Sequence, residues 1–338
     1  MDQITLQTRI APPATTIHFG MEKLKAVCGQ GAIVIADENI AASHGAALQK
    51  TLEGELIAIR AEKSRAAKEA LEDALFKRKA RRETLLVALG GGVLTDLVAF
   101  TASTYMRGVP LVLIPTTLLG MVDAAIGGKT GIDTPYGKNL IGTFYLPKAI
   151  FIEVAFLKTL SEAELKNGLS EILKYGLIED AKIWQGAAHW KKELPALIRA
   201  SIQCKCKVVE ADFEEKTGLR RILNFGHTVA HALELLSHYQ MPHGEAVALG
   251  CMAESYVSHR LGYLPKRDLD EIVSLYRNLG YSFPKHDPQA FLKAIAMDKK
   301  GKDRFVLIDR IGHAIPFDGE YCRAVPRSEI EQMIAWMH

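Results

Sequence analysis

The chain has 338 residues, 48% hydrophobic and 24% charged, the proportions of a soluble globular protein long enough for a large core and two domains. A net charge of +3 excludes the broad positive field of a nucleic-acid binder. No apolar run approaches bilayer-spanning length and Met1 to Gly20 carries no signal pattern, so a cytoplasmic protein without membrane partners is expected.

In chain order, residues 33–36, 56–59, 85–89, 111–114 and 150–152 are short, continuous apolar runs rich in β-branched residues. Unbroken runs of this length suit strands covered on both faces, as in a parallel sheet. Helical spacing over 63–79 falls between two of them, which is α/β order. The basic run Lys77-Arg78-Lys79-Ala80-Arg81-Arg82 then reads as a solvated connection. After Phe156 helical patterns follow one another, over 162–177, 194–215, 226–237, 245–261 and 268–279, with a strand signature only at 305–308. The chain is expected to divide into an α/β domain, 1–160, and a mostly α-helical domain, 161–338. A cleft between two such halves is the expected place for a ligand. Five cysteines, including the tight pair Cys204 and Cys206, have no framework spacing and suit reduced thiols.

Chemistry concentrates in three segments. The apolar run 85–89 enters Gly90-Gly91-Gly92 and then a helical pattern, which is either a phosphate-cradling turn or merely a tight one. Thr95 stands where a dinucleotide fingerprint needs its third glycine. Next, Asp123 to Lys138 is a glycine-rich stretch with two lysines, Lys129 and Lys138; it fails the P-loop pattern and either binds an anion or merely carries lysines in a surface loop. Finally, Arg220, Asn224, His227 and His231 are spaced four, three and four apart, one stripe if the segment is a single helix. His243 follows closely, so these three histidines lie within one seventeen-residue span of a chain with eleven. Zinc takes about three protein ligands at a catalytic site. His227 with His231 is the pair that spacing alone suggests, and His243 competes with it. Glu171, flanked by apolar residues, either completes such a set or forms an ion pair with Lys174 one turn on.

Taken in order, the series Gly90-Gly91-Gly92-x-x-x-Asp96, Thr104-Tyr105-Met106-Arg107-Gly108, Pro115-Thr116-Thr117, Gly127-Gly128-Lys129-Thr130-Gly131, Gly137-Lys138-Asn139-Leu140, Glu171-x-x-Lys174-Tyr175-Gly176, Leu223-Asn224-Phe225-Gly226-His227-Thr228 and His243-Gly244-Glu245 resembles the 3-dehydroquinate synthase family across nearly the whole chain. The resemblance implies a Rossmann-like N-terminal domain that binds NAD and a helical C-terminal domain, with the active site between them. It implies a divalent metal, zinc or alternatively cobalt, on Glu171, His227 and His243, with His231 handling substrate or protons instead. For NAD it implies Asp37, Lys63, Gly91, Gly92, Asp96, Thr116, Thr117, Asp123, Lys129 and Lys138. For substrate it implies Asp123, Lys129, Asn139, Lys174, Lys205, Arg220, Asn224 and His231. Lys299, or alternatively Lys300, would meet the substrate phosphate. Lys129, Lys174, Asn224 and His231 are the implied catalytic group. Arg107 would reach the active site of a neighbouring subunit in a homodimer. The run before Lys63 is one residue shorter than the family pattern, and Thr95 and Ala230 stand where glycine is common.

The implied reaction is cyclisation of a phosphorylated sugar acid, 3-deoxy-D-arabino-heptulosonate 7-phosphate, to 3-dehydroquinate with loss of phosphate, a lyase step of the shikimate pathway leading to aromatic amino acids. It runs through transient oxidation by NAD, β-elimination, return of the hydride and aldol closure. Another sugar phosphate cyclase and a metal-dependent polyol dehydrogenase are the alternatives. The dehydrogenase would have little use for so many anion-binding groups.

Overall fold

A computed structural model describes residues 14–297, 304–317 and 320–337. Two compact units emerge, one from residues 1–115 and 128–153, the other from 116–127 and 154–338. The chain therefore changes unit at Pro115 and again at Gly127, before the final change at Glu153, a division that a single cut near residue 160 does not express.

The first unit is built on β1 (Thr16–Phe19), β2 (Ile33–Asp37), β3 (Glu55–Ile59), β4 (Leu86–Gly90), β5 (Leu111–Pro115) and β8 (Ala149–Ile152), in the order β1-β8-β5-β4-β2-β3, all parallel. The five apolar runs read from sequence are β2, β3, β4, β5 and β8. β4, β5 and β8 are buried along their whole length, as two covered faces require. β1 has no such run; Thr-Ile-His-Phe is a half-exposed edge strand that pairs only with β8. Helices α1 (Arg65–Lys77) and α2 (Gly92–Thr104) lie in the connections, and Ser64 caps α1 by accepting the Ala67 amide at 3.1 Å. The order β3-β2-β4-β5-β8 is doubly wound, and its winding reverses between β2 and β4. In such sheets ligands bind beyond the carboxyl ends of the strands at that reversal.

The glycine-rich stretch is a ribbon, with β6 (Lys129–Thr134) antiparallel to β7 (Gly137–Phe144). Ile132 and Ile141 pack it onto α2 through Leu97 and Phe100. Gly142 is required here, because a methyl group on it would overlap the Thr130 carbonyl oxygen of the facing strand. The sequence pattern hid the ribbon because most of its residues are polar or glycine, and its apolar residues do not alternate cleanly: Leu140 and Phe144 are themselves exposed.

The second unit is mostly helical: α3 (Glu162–Ile178), α4 (Trp190–Ala211), α5 (His227–Leu236), α6 (His243–Arg260), α7 (Lys266–Asn278), α8 (Pro288–Met297) and α9 (Arg327–Met337). The strand signature at 305–308 is split between two short strands, Arg304–Phe305 and Ile308–Arg310, with Phe305 to Ile308 fully covered. No helix among the described residues is long and apolar enough to cross a membrane.

The expected single stripe from Arg220 to His231 does not form. Leu219–Asn224 is a separate 3-10 turn, and the chain then bends at Gly226, φ +81°, before α5 begins. A side chain at 226 would crowd the Cys251 sulfur at 2.7 Å as well as strain the backbone. The break detaches Arg220 and Asn224 from the helix that carries His227 and His231.

Candidate active site

In the second unit three elements converge. Glu171 is in the middle of α3 and wholly buried, while His227 and His243 are the first residues of α5 and α6. One ligand atom from each lies within 4.8 Å of the others. Small residues make the convergence possible. The Gly244 amide donates to Asn167 Oδ1 of α3 at 2.5 Å, and a methyl at 244 would overlap the Asn167 carbonyl oxygen. Gly250 meets the Gly226 carbonyl as closely. We expect Gly244→Ala to force α6 away from α3. Bound zinc, read by atomic emission on the purified protein, should then fall from one per chain towards zero.

Glu171 Oε1 faces His227 Nε2 at 3.7 Å and His243 Nε2 at 3.5 Å, while Oε2 is 2.5 Å from Lys174 Nζ. Among the described residues neither carboxylate oxygen accepts a well-formed hydrogen bond, although both are buried. Two ligands each about 2.0–2.1 Å from a tetrahedral zinc ion stand roughly 3.3 Å apart. The gaps around Oε1 are therefore too wide for hydrogen bonds and right for a shared ion. His227 Nδ1 lies 3.2 Å from the Phe225 carbonyl oxygen, which favours the tautomer with Nε2 free to ligate. His231, one turn further along α5, is exposed; its ring centroid is 5.7 Å from that of His227. Lys174 is buried with Glu171 and donates to the Leu223 carbonyl at 2.8 Å. The ion-pair and ligand readings of Glu171 thus coexist, one on each oxygen.

Burial alone would raise the Glu171 carboxyl, but the Lys174 ammonium reverses this and holds it at about 2. Burial, and then the same charge, push His227 down to about 3. Burial also lowers His243, but Glu171 and Glu234 override it and raise the imidazole to about 9. In the metal-stripped protein, the Glu171 contribution to stability is complete above its unfolded value and is lost as pH falls towards 2. The unfolded chain, in addition, protonates His227 between about 6.5 and 3 where the folded one resists. His243 acts at the other end, its contribution being lost as pH rises through 9. Denaturant midpoints of the stripped protein should therefore fall from pH 6.5 downward, and a flat profile to pH 4 contradicts this pairing.

A second cluster in the same unit is built on Asp123. Its Oδ1 accepts from Lys205 Nζ at 2.5 Å and from the Tyr175 hydroxyl at 2.8 Å. Burial opposes its ionisation, yet the Lys205 and Lys174 charges hold its carboxyl well below the usual carboxylate range. Arg220, 2% exposed, donates to the Phe213 carbonyl at 2.6 Å and the Gly127 carbonyl at 3.0 Å. Thr117 Oγ1 accepts the Gly120 amide at 3.1 Å in the segment that carries Asp123, and Thr116 beside it is buried. Asn224 is half-buried at the end of the 3-10 turn.

In the first unit Lys63 Nζ bridges Asp96 Oδ2 and Asn139 Oδ1, each at 2.5 Å. Gly91 and Gly92 form the turn from β4 into α2, and Asp37 closes the neighbouring β2, so all three stand at the winding reversal. Lys129 and Lys138 are exposed on the ribbon. Arg107 is exposed on a turn where it and Met106 both have positive φ. Asn139, a residue implied for substrate, is thus grouped with residues implied for NAD. Lys299 and Lys300 lie outside the described residues.

Sequence reasoning overlooked three residues. Asp212 accepts the Thr217 and Arg220 amides, both at 3.0 Å, and so folds the 212–220 segment that positions Arg220. Tyr175 fixes Asp123, and Glu234 faces His243. None carries a signal of its own; each matters only through a partner, which for Tyr175 lies 52 positions away.

Residues 55–167 match the 3-dehydroquinate synthase N-terminal family, and residues 168–301 match its C-terminal counterpart. The 3-dehydroquinate synthase of Nitrosomonas europaea is 44% identical over 260 residues, covering 73% of this chain and 70% of that protein. That of Chlorobaculum parvum is 39% identical over 331 residues, 89% of each. The chain belongs to the 3-dehydroquinate synthase family. Among solved structures, ValA (2-epi-5-epi-valiolone synthase) from Streptomyces hygroscopicus, with NAD+ and Zn2+ bound, superimposes with a TM-score of 0.88 at 27% identity, covering 99% of both chains.

Proposed function

We propose that this chain converts 3-deoxy-D-arabino-heptulosonate 7-phosphate into 3-dehydroquinate and phosphate, as a phosphorus–oxygen lyase of the shikimate pathway that works with NAD and a divalent metal. The carrying observation is the buried glutamate with two imidazoles at ion-sharing distance, in a chain 37–44% identical to proteins of that activity. Glu171, His227 and His243 would hold zinc, or cobalt. Asp37, Lys63, Gly91, Gly92, Asp96, Thr116, Thr117, Asp123, Lys129 and Lys138 would hold NAD. When bound, the ion supplies Lewis acidity and NAD a hydride acceptor that is restored within the turnover.

The chain's own groups supply the rest. Lys205 and Arg220 are fixed, buried cations suited to an acid-bearing, phosphorylated substrate, and Arg220 offers the bidentate fork that carboxylates and phosphates prefer. Asp123 holds Lys205 in place through both its side chain and its carbonyl, the latter at 2.6 Å. Lys174 balances Glu171 while the Leu223 carbonyl restrains its ammonium. Asn224 supplies a neutral donor, and His231, exposed beside His227, can pass a proton to or from solvent. Lys129, Asn139 and Lys299 would contribute further anion contacts, and Arg107 would serve a neighbouring subunit of a homodimer in the cytoplasm.

The likeness to ValA supports a second reading, a cyclase for a substrate without the carboxylate. Incubation with either substrate, catalytic NAD and zinc tests both. The proposal requires phosphate release and a carbocyclic product from the acid-bearing substrate, with no NADH accumulating. Turnover of the other substrate alone overturns it in favour of the second reading, and net NADH indicates a dehydrogenase.

A further inference from the structure

The two imidazoles are supported differently. His227 Nδ1 faces a backbone carbonyl, whereas His243 Nδ1 faces the Glu234 carboxylate, with Oε1 at 3.6 Å. Glu234 is 4% exposed, unusual for a carboxylate, and lies on α5 seven residues after His227. Seven residues are two turns, so both project from one face of α5. One helix face therefore presents a ligand and, two turns on, a carboxylate directed at the ligand carried by α6. The other nitrogen of His243 faces Glu171 at 3.5 Å, leaving the ring between two carboxylates.

We infer that Glu234 is a positioning residue for the metal centre: it orients the His243 ring, fixes the Nδ1–H tautomer and strengthens Nε2 as a donor. This rests on the metal reading of Glu171, His227 and His243. The α5 backbone at this point is itself secured, since the Glu234 carbonyl accepts the Tyr239 amide at 2.7 Å and the Ser237 hydroxyl at 2.9 Å. The carboxylate thus approaches His243 from a fixed origin. Removing a carboxylate behind a ligating histidine typically lowers metal affinity about 10- to 100-fold.

The test is zinc affinity of the full chain, measured by competition with a chromogenic chelator, for the wild type, Glu234→Ala and Glu234→Gln. NAD affinity serves as the control. The inference predicts a 10- to 100-fold weaker zinc complex for Glu234→Ala, with Glu234→Gln intermediate because the amide oxygen can still accept from Nδ1–H, and with NAD affinity unchanged. If Glu234→Ala does not fold, the near-isosteric Glu234→Gln decides alone. Wild-type zinc affinity in a folded variant overturns the inference and leaves the metal reading standing. Absence of zinc binding by the wild type overturns both.

Discussion

Replacing Glu171 by Gln is expected to abolish stoichiometric metal binding, to lower kcat/KM by about 10³-fold or more, and to destabilise the fold. Three consequences follow from one substitution because the two carboxylate oxygens do different work. Oε1 faces His227 and His243, and the amide cannot supply the negative ligand a divalent ion needs. Oε2 neutralises Lys174, a residue only 1% exposed, whose charge would be left buried opposite a neutral group. Breaking a buried pair in this way costs about 3–5 kcal/mol. Denaturant unfolding, emission spectroscopy for bound metal and steady-state kinetics separate the parts. If Glu171 served only to balance Lys174, stability would fall while the protein still bound one ion per chain.

Arg220→Lys is expected to raise KM for the acid-bearing substrate roughly 30- to several-thousand-fold, the equivalent of about 2–5 kcal/mol, with NAD affinity unchanged. Lysine keeps the charge but has no planar fork, and it cannot reproduce the paired donation to Phe213 and Gly127. A carbonyl left unpaired adds about 1–3 kcal/mol of destabilisation, so unfolding should be measured beside the kinetics. Equal losses of substrate and NAD affinity would contradict the assignment of Arg220 to substrate.

The sheet was legible because physics acts locally on it. Runs such as Ile33 to Ala36 and Leu111 to Ile114 must be covered on both faces, so they read as strands wherever they lie. The ribbon of residues 129–144 was not legible, because glycine and threonine answer to the facing backbone rather than to an apolar surface. The site divides the same way. Spacing along the chain suggested His227 with His231 and could not see that Gly226 breaks the helix before His227 or that Gly244 lets His243 meet Glu171. Convergence of residues 56 and 16 positions apart is decided by packing between helices. Family resemblance, not periodicity, carried that part of the reading. Asp212 and Glu234 escaped both routes, since each acts only by placing another residue, Asp212 through the backbone amides of the segment before Arg220 and Glu234 through the His243 ring.

Anomalous diffraction at the zinc absorption edge, from crystals of the zinc-loaded protein, tests the central claim most directly. A single strong peak should fall among Glu171 Oε1, His227 Nε2 and His243 Nε2, with Oε2 still paired to Lys174. A peak instead between His227 and His231, or none within reach of Glu171, would contradict it.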